Sequence, residues 1–273
     1  MTGEREGWLE PSPGDAYGDY LRLDAVLSAQ APKTKAHDEL LFIIQHQTSE
    51  LWMKLALHEL DAAREAIAAD RLQEAFKGLA RLSRIFEQLN GAWDVLRTMT
   101  PADYTTFRAA LGRGSGFQSR QYRLIEFRLG LRDAALIRPH EHDPAAVEAL
   151  RAELARPSLY DVALAAAARL GAPLDPAALE RDRAQAHASD EAVEAMWEAV
   201  YREPGRWWTL YELAEKLVDL EDYFRRWRFN HVTAVERVIG LKRGTGGTSG
   251  VGYLRRRLDA VLFPDLWRVR TRL

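Results

Sequence analysis

The sequence predicts an all-α, single-domain helical bundle built around two long core helices. Three observations carry this. Apolar residues recur at helical spacing over two long stretches. No segment alternates apolar and polar residues between turn signals, so no sheet is expected. Pro and Gly are scattered rather than gathered into a linker, and no fixed-period repeat appears. One domain is therefore expected over residues 1–273, with residues 1–16 a flexible arm punctuated by Pro11, Pro13 and Gly14.

The elements follow in order. Tyr17 to Leu27 reads as a short amphipathic helix or an extended arm. His37 to Ala69 reads as one long helix, with Leu41, Ile44, Leu51, Leu55 and Leu60 at helical spacing. Leu72 to Met99 makes a second helix. Thr100-Pro101-Ala102-Asp103 is a helix start: a Thr cap, Pro at the first helical position, and an acid three residues after the cap. Leu111 to Gly116 is a turn, and Phe117 to Leu131 is helical again. Ala134 to Pro204, rich in alanine and broken by prolines, reads as three or four short helices. Arg206 to Gly240 is the second long helix, studded with aromatic residues. A glycine loop, a helix over Val251 to Val261 and a tail complete the chain. Long helices with aromatic faces need partners, which points to an oligomer.

Composition excludes several function classes. The formal net charge is −2, so nothing points to nucleic acid or a membrane surface. The arginines of the tail, Arg255, Arg256, Arg257, Arg268, Arg270 and Arg272, read as a solvated basic face. There is no cysteine, which removes disulfides, Fe–S clusters, thiolate-ligated or covalently attached haem, and cysteine zinc sites. No apolar run approaches a membrane span, and the first residues carry no secretory h-region. A cytoplasmic location is expected.

The stretch Gly240–Tyr253, GLKRGTGGTSGVGY, holds five glycines between Gly244 and Gly252. It is not a dinucleotide fingerprint, because it follows a helix and Ser249 stands where the third glycine should fall. It is not a Walker A loop, because Lys242 precedes the glycines. A plain connector and a flap closing over a polar ligand both account for it.

Among the seven histidines, His140 and His142 lie in RPHEHD, read as a polar surface loop, and His187 in a charged short helix. His46 and His231 differ. His46 has Phe42 at i−4 and Met53 at i+7; His231 has Trp227 at i−4 and Val235 at i+4. Each is therefore mid-helix on an apolar face. One such histidine is more often a satisfied core residue than a ligand. Two of them, on the two longest helices of a cysteine-free chain, suit a haem pocket with an imidazole on each side of the ring. A carboxylate-bridged di-metal bundle fails, since no histidine has Glu three residues before it.

Three long stretches carry a resemblance. LLFIIQHQTSELWMKL (Leu40–Leu55), FRAALGRGSGFQSRQYRLIEF (Phe107–Phe127) and RFNHVTAVERVIGLKRGTGGTSGVGYLR (Arg228–Arg255) resemble the tryptophan 2,3-dioxygenase family. The likeness covers about Tyr17 to Phe127 and Trp207 to Trp267. Arg120 departs from the family's usual apolar or aromatic residue. The resemblance implies an all-helical homotetramer that holds non-covalent haem b, active as ferrous iron. It implies insertion of both atoms of O2 across the indole C2–C3 bond of L-tryptophan, giving N-formyl-L-kynurenine. It makes His231 the axial iron ligand and His46 the residue near the indole N–H. Arg108 becomes the clamp on the substrate carboxylate, Phe42 and Tyr104 the pocket wall, and Thr245 the partner of the ammonium. Gly244, Gly246, Gly247 and Gly250 shape the flap. Tyr17, Tyr20 and Leu21 are contributed by a neighbouring subunit. Two alternatives share this pocket: a haem-binding sensor or carrier without turnover, and an indole-ring dioxygenase of broader substrate range.

Overall fold

The computed structural model describes Gly14, residues 16–242, Gly244 and residues 249–273. Among the described residues every regular element is a helix and no strand occurs. Two 32-residue helices dominate, α3 (His37–Ala68) and α10 (Trp208–Ile239). Before α3 come α1 (Tyr17–Leu21) and α2 (Leu23–Leu27). Between the long helices run α4 (Leu72–Leu96), α5 (Pro101–Arg108), α6 (Arg120–Leu129), α7 (Pro144–Ala155), α8 (Leu159–Arg169) and α9 (Glu191–Arg202). After α10 come α11 (Val251–Arg256) and α12 (Pro264–Val269). None of the described helices is long and apolar enough to cross a membrane.

α3 and α4 form a hairpin closed by Asp70, which adopts a left-handed φ of 57°. Asp tolerates that conformation. Arg169 of α8 caps the end of α3 by donating to the carbonyls of Ile67 (3.0 Å) and Ala68 (3.3 Å) while holding the Asp70 carboxylate. α4 packs along both α3 and α10, whereas α3 and α10 scarcely touch each other. The shared core joins Ala56, Leu60, Ala63 and Ile67 of α3 to Leu79, Leu82 and Phe86 of α4 and Leu213, Leu217 and Phe224 of α10. Phe86 and Phe224 meet edge to face at 5.4 Å. A smaller core of Phe127, Leu136, Ile137, Leu150 and Leu154 lies beneath α6 and α7.

Charged residues inside the bundle join elements. Glu153 of α7 is buried between Arg64 of α3 (2.6 Å) and Arg128 of α6 (3.1 Å). Glu221 of α10 is fully buried and accepts the backbone N–H groups of Leu262 (2.8 Å) and Phe263 (3.0 Å), which fastens the C-terminal segment. Two turns of α10 further along that face, Arg228 donates to the carbonyls of Arg257, Leu258 and Ala260.

Several expectations are corrected. The arm over Tyr17–Leu27 is two helices, divided at Arg22 with φ 53°. α11 ends at Arg256, five residues before the expected Val261. The tail arginines are not simply solvated. Arg268 and Arg272 both bind the buried Glu194 at 2.6 Å, Arg270 binds Glu215 at 2.7 Å, and Arg255 binds Glu236 at 2.7 Å. His140 is only 2% exposed, at the end of a 3-10 helix over Ala134–His140. His187 lies in irregular chain, its Nε2 3.2 Å from Asp161.

Replacing Glu153 by Ala strands the buried Arg64, whose other acidic neighbour, Asp61, is 3.9 Å away. Breaking a buried pair from one side costs about 3–5 kcal/mol. Urea unfolding should show that loss with an unchanged slope; a loss under about 1 kcal/mol would mean that the pair does not anchor α7.

Candidate functional site

The gap between α3 and α10, at the C-terminal end of α4, is a cavity of about 240 Å³. α3 lines it with Phe42, His46, Ser49 and Met53, spaced four, three and four residues apart and so on one helix face. α10 lines it with Trp227, His231, Val235 and Val238, again one face. Trp93 and Leu96 of α4, Tyr104 of α5, and Tyr122, Arg123 and Glu126 of α6 close the sides. Tyr253 and Leu254 of α11 and Arg257 just after it complete the lining, with Gly244 and Gly250 at the ends of the glycine loop.

The two histidines face this one cavity from opposite helices. Nδ1 of His46 is 2.7 Å from the Phe42 carbonyl oxygen. A carbonyl only accepts, so in the neutral imidazole Nδ1 carries the proton and Nε2 keeps a free lone pair. The Phe42 ring lies against the imidazole, centroids 4.1 Å apart. His231 is stacked by Trp93, with ring centroids 4.7 Å apart and planes within 10°, and is flanked by Trp227 at 5.7 Å. Burial pushes the His231 pKa down to about 4, and the nearby His46 acts in the same direction. Burial also lowers the pKa of His46, opposed by its bond to Phe42 and by the charge of Glu50. Both imidazoles are therefore neutral near pH 7, the form that ligates iron or accepts a hydrogen bond. Burial raises the Tyr104 phenol, with the charge of Arg108 opposing.

One end of the cavity is different. Arg123 and Arg228 are buried there, and the Nε of each has no hydrogen-bond partner among the described residues. Arg123 is held by Glu126, which also accepts from the Tyr122 hydroxyl at 2.8 Å. Unpartnered buried guanidinium N–H groups are costly unless an anion or water meets them. Two facing imidazoles, apolar and aromatic walls, and cationic donors at one end fit a flat macrocycle with an anionic edge. No cluster of three metal-ligating side chains exists among the described residues, so a bare ion held by many ligands is not indicated.

The remaining expected site residues are placed as follows. Phe42, Tyr104, His46 and His231 come together. Arg108 ends α5, one turn from Tyr104, is half-buried and does not line the cavity. Tyr17 and Tyr20 are 77% and 84% exposed on α1, outside the cavity, and Leu21 is exposed beside them. Thr245, Gly246 and Gly247 lie outside the described residues. Gly250 has φ 60° and ψ −124°, and a β-carbon there would come within 2.5 Å of the Lys242 carbonyl oxygen, so only glycine fits. Sequence reasoning missed Trp93, Tyr122, Arg123, Glu126 and Arg228. Arg228 stood three residues before His231, and Tyr122 and Arg123 within a quoted motif, but charge in a helix normally signals its solvated face.

Fold and site together define an all-helical protein with a cavity clasped by two imidazoles and suited to a flat prosthetic group. The sequence model of the family "Tryptophan 2,3-dioxygenase" matches residues 4–154 and 177–273; α8 falls in the unmatched stretch between them. A tryptophan 2,3-dioxygenase of Bradyrhizobium diazoefficiens is 65% identical over 94% of this chain and 92% of its own length. Those of Pseudomonas fluorescens and Burkholderia multivorans are 60% and 58% identical, over 97% and 100% of this chain and 94% and 89% of theirs. The chain belongs to the tryptophan 2,3-dioxygenase family.

A buried neutral histidine makes the ligand-free protein acid-sensitive. The His231 pKa falls from 6.5 to about 4 on folding, so the unfolded chain binds the proton first. Stability is intact above pH 6.5 and falls as the pH drops toward 4, by about 3 kcal/mol at most. Denaturant unfolding of ligand-free protein across this range should show the slope, reduced in His231→Leu. An unchanged slope in that variant would place the titration elsewhere.

Proposed function

We propose that the protein is a haem-dependent dioxygenase that inserts both atoms of O2 across the indole C2–C3 bond of L-tryptophan to give N-formyl-L-kynurenine. The observation that carries this is the pair of neutral imidazoles facing one apolar cavity, in a chain that belongs to this family. His231 would hold the iron of a haem b, with Arg123 and Arg228 toward its carboxylate edge. The chemistry that bound haem supplies is O2 activation at ferrous iron.

The protein's own residues do the rest. His46 Nε2, its lone pair free, accepts the indole N–H and orients the ring. Phe42 and Tyr104 wall the indole and exclude water. Arg108 meets the substrate carboxylate, because a guanidinium fork donates two parallel hydrogen bonds. Thr245 meets the ammonium, with Gly244, Gly246, Gly247 and Gly250 letting the flap approach closely. Both oxygen atoms enter the product, so turnover needs no net electron donor and no nicotinamide or flavin site.

The assembly is a homotetramer in the cytoplasm, in which Tyr17, Tyr20 and Leu21 of one subunit complete a neighbour's pocket. Two features support this: the high exposure of both tyrosines, and the apolar stripe of Leu40, Ile44, Leu51, Trp52 and Leu55 exposed along α3.

The test is direct. Protein loaded with hemin and reduced should convert L-tryptophan and O2 to N-formylkynurenine, read by absorbance. His231→Ala should lose the axially ligated spectrum. Haem binding without product would leave a sensor or carrier, and equal turnover of indole or tryptamine would leave a broader indole dioxygenase.

Arg108→Met should lower kcat/KM by about 30–100-fold, the loss of a bidentate charged contact, with Arg108→Lys recovering only part. His46→Ala should raise KM and retain measurable turnover; loss of turnover at unchanged substrate affinity would make the imidazole an obligatory base. Gly250→Ala should raise KM more than it lowers kcat, because the neck of the loop cannot close against Lys242.

A further inference from the structure

Three residues on one face of α4 and its C-cap address a single short stretch of α10. Asn90, Trp93 and Arg97 lie at i, i+3 and i+7 and so stand one above another. Trp93 stacks on His231. Asn230, the residue before His231, donates through Nδ2 to Asn90 Oδ1 at 2.8 Å. Asn90 Nδ2 in turn donates to the Tyr223 carbonyl at 3.2 Å, two turns earlier on α10. Arg97 Nη2 donates to the Asn230 carbonyl (3.1 Å), to Asn230 Oδ1 (3.2 Å) and to Thr233 Oγ1 (2.5 Å). Arg97 Nη1 is fixed by Asp94 at 2.8 Å. Hydrogen bonds from Asn90 and Arg97 thus flank His231 on both sides in sequence, although Asn90, Arg97, Asn230 and Thr233 do not line the cavity.

We infer that Asn90, Asn230 and Arg97 are positioning residues for His231, setting the rotation and height of its turn of α10 against α4. This rests on the reading of His231 as the haem-iron ligand. The remaining α4–α10 contact is mostly apolar, and apolar contact is non-directional. A rotation of α10 by about 20° would carry an imidazole, roughly 6 Å from the helix axis, through about 2 Å. A metal–ligand bond tolerates only about 0.2 Å. Directional bonds to the residues beside His231 remove that freedom, and the Trp93 stack fixes the ring plane. Partners that orient a metal ligand through a second residue typically change metal affinity by about 10–100-fold when removed.

The experiment uses full-length protein loaded with hemin, comparing Asn230→Leu, Arg97→Gln, Arg97→Lys and Thr233→Val with wild type. Arg237→Met is the control: Arg237 also binds α4, donating to the Arg97 carbonyl at 2.9 Å, but nearly two turns beyond His231. The readouts are the iron–histidine stretching band of the reduced protein and the rate of hemin transfer to an apo-globin acceptor. Asn230→Leu and Arg97→Gln should displace or broaden the band and speed hemin loss about 10-fold. Thr233→Val, which removes one bond and leaves the helix pair otherwise intact, should give a smaller change in the same direction. Arg97→Lys should recover only part, because an ammonium lacks the fork. The control should change neither readout. An unchanged band and hemin-loss rate in the folded variants, or equal changes in the control, would overturn the inference. Failure of the underlying reading looks different: wild-type protein would then show no iron–histidine band that His231→Gly removes.

Discussion

The site depends on one packing relation: α4 touches both long helices, and the long helices scarcely touch each other. Along most of its length α4 fills the space between α3 and α10 with Leu79, Leu82 and Phe86. At its C-terminal end the three helices no longer close the gap, and α5, α6 and α11 wall it off without filling it. Interiors pack to crystal density, so a cavity of this size persists only where rigid helices hold its walls apart. The histidines that face it therefore sit on the two longest helices, both braced by α4.

Buried charge is the second organising feature. Glu221 and Arg228 lie seven residues apart on α10, and each catches backbone of the C-terminal segment, the acid taking N–H groups and the base taking carbonyls. This places Tyr253 of α11 and the following Arg257 over the cavity. Neither residue is accounted for by ion pairing alone. Both satisfy irregular backbone that would otherwise be buried without partners. On α6 the pairing is different: Arg123 and Glu126 bind each other, and the Arg123 Nε is buried without a hydrogen-bond partner among the described residues. The polar interior thus divides into groups that complete the fold and buried N–H groups left without a partner among the described residues.

Burial acts on the two imidazoles as well. Two imidazoles kept neutral by burial suit iron ligation and hydrogen-bond acceptance, yet each disfavours the protonated form that the unfolded chain takes up freely. A bound prosthetic group that occupies the His231 lone pair would remove that proton competition.

The all-α class, the two long helices, the Thr100–Asp103 cap of α5 and the two apolar-faced histidines were legible in the amino-acid sequence, because each depends on local periodicity or on residues within one turn. The site's aromatic face was legible for the same reason: Phe42 and His46, and Trp227 and His231, are each one turn apart. Tertiary structure alone decided the rest. Trp93 meets His231 across 138 positions of chain, and Arg97 reaches Asn230 across 133. Buried arginines and a buried His140 look like surface residues in sequence, since only packing decides which polar side chains lose water. Local chemistry chose the helices; the contact of α4 with two partners chose where they leave room for a ligand.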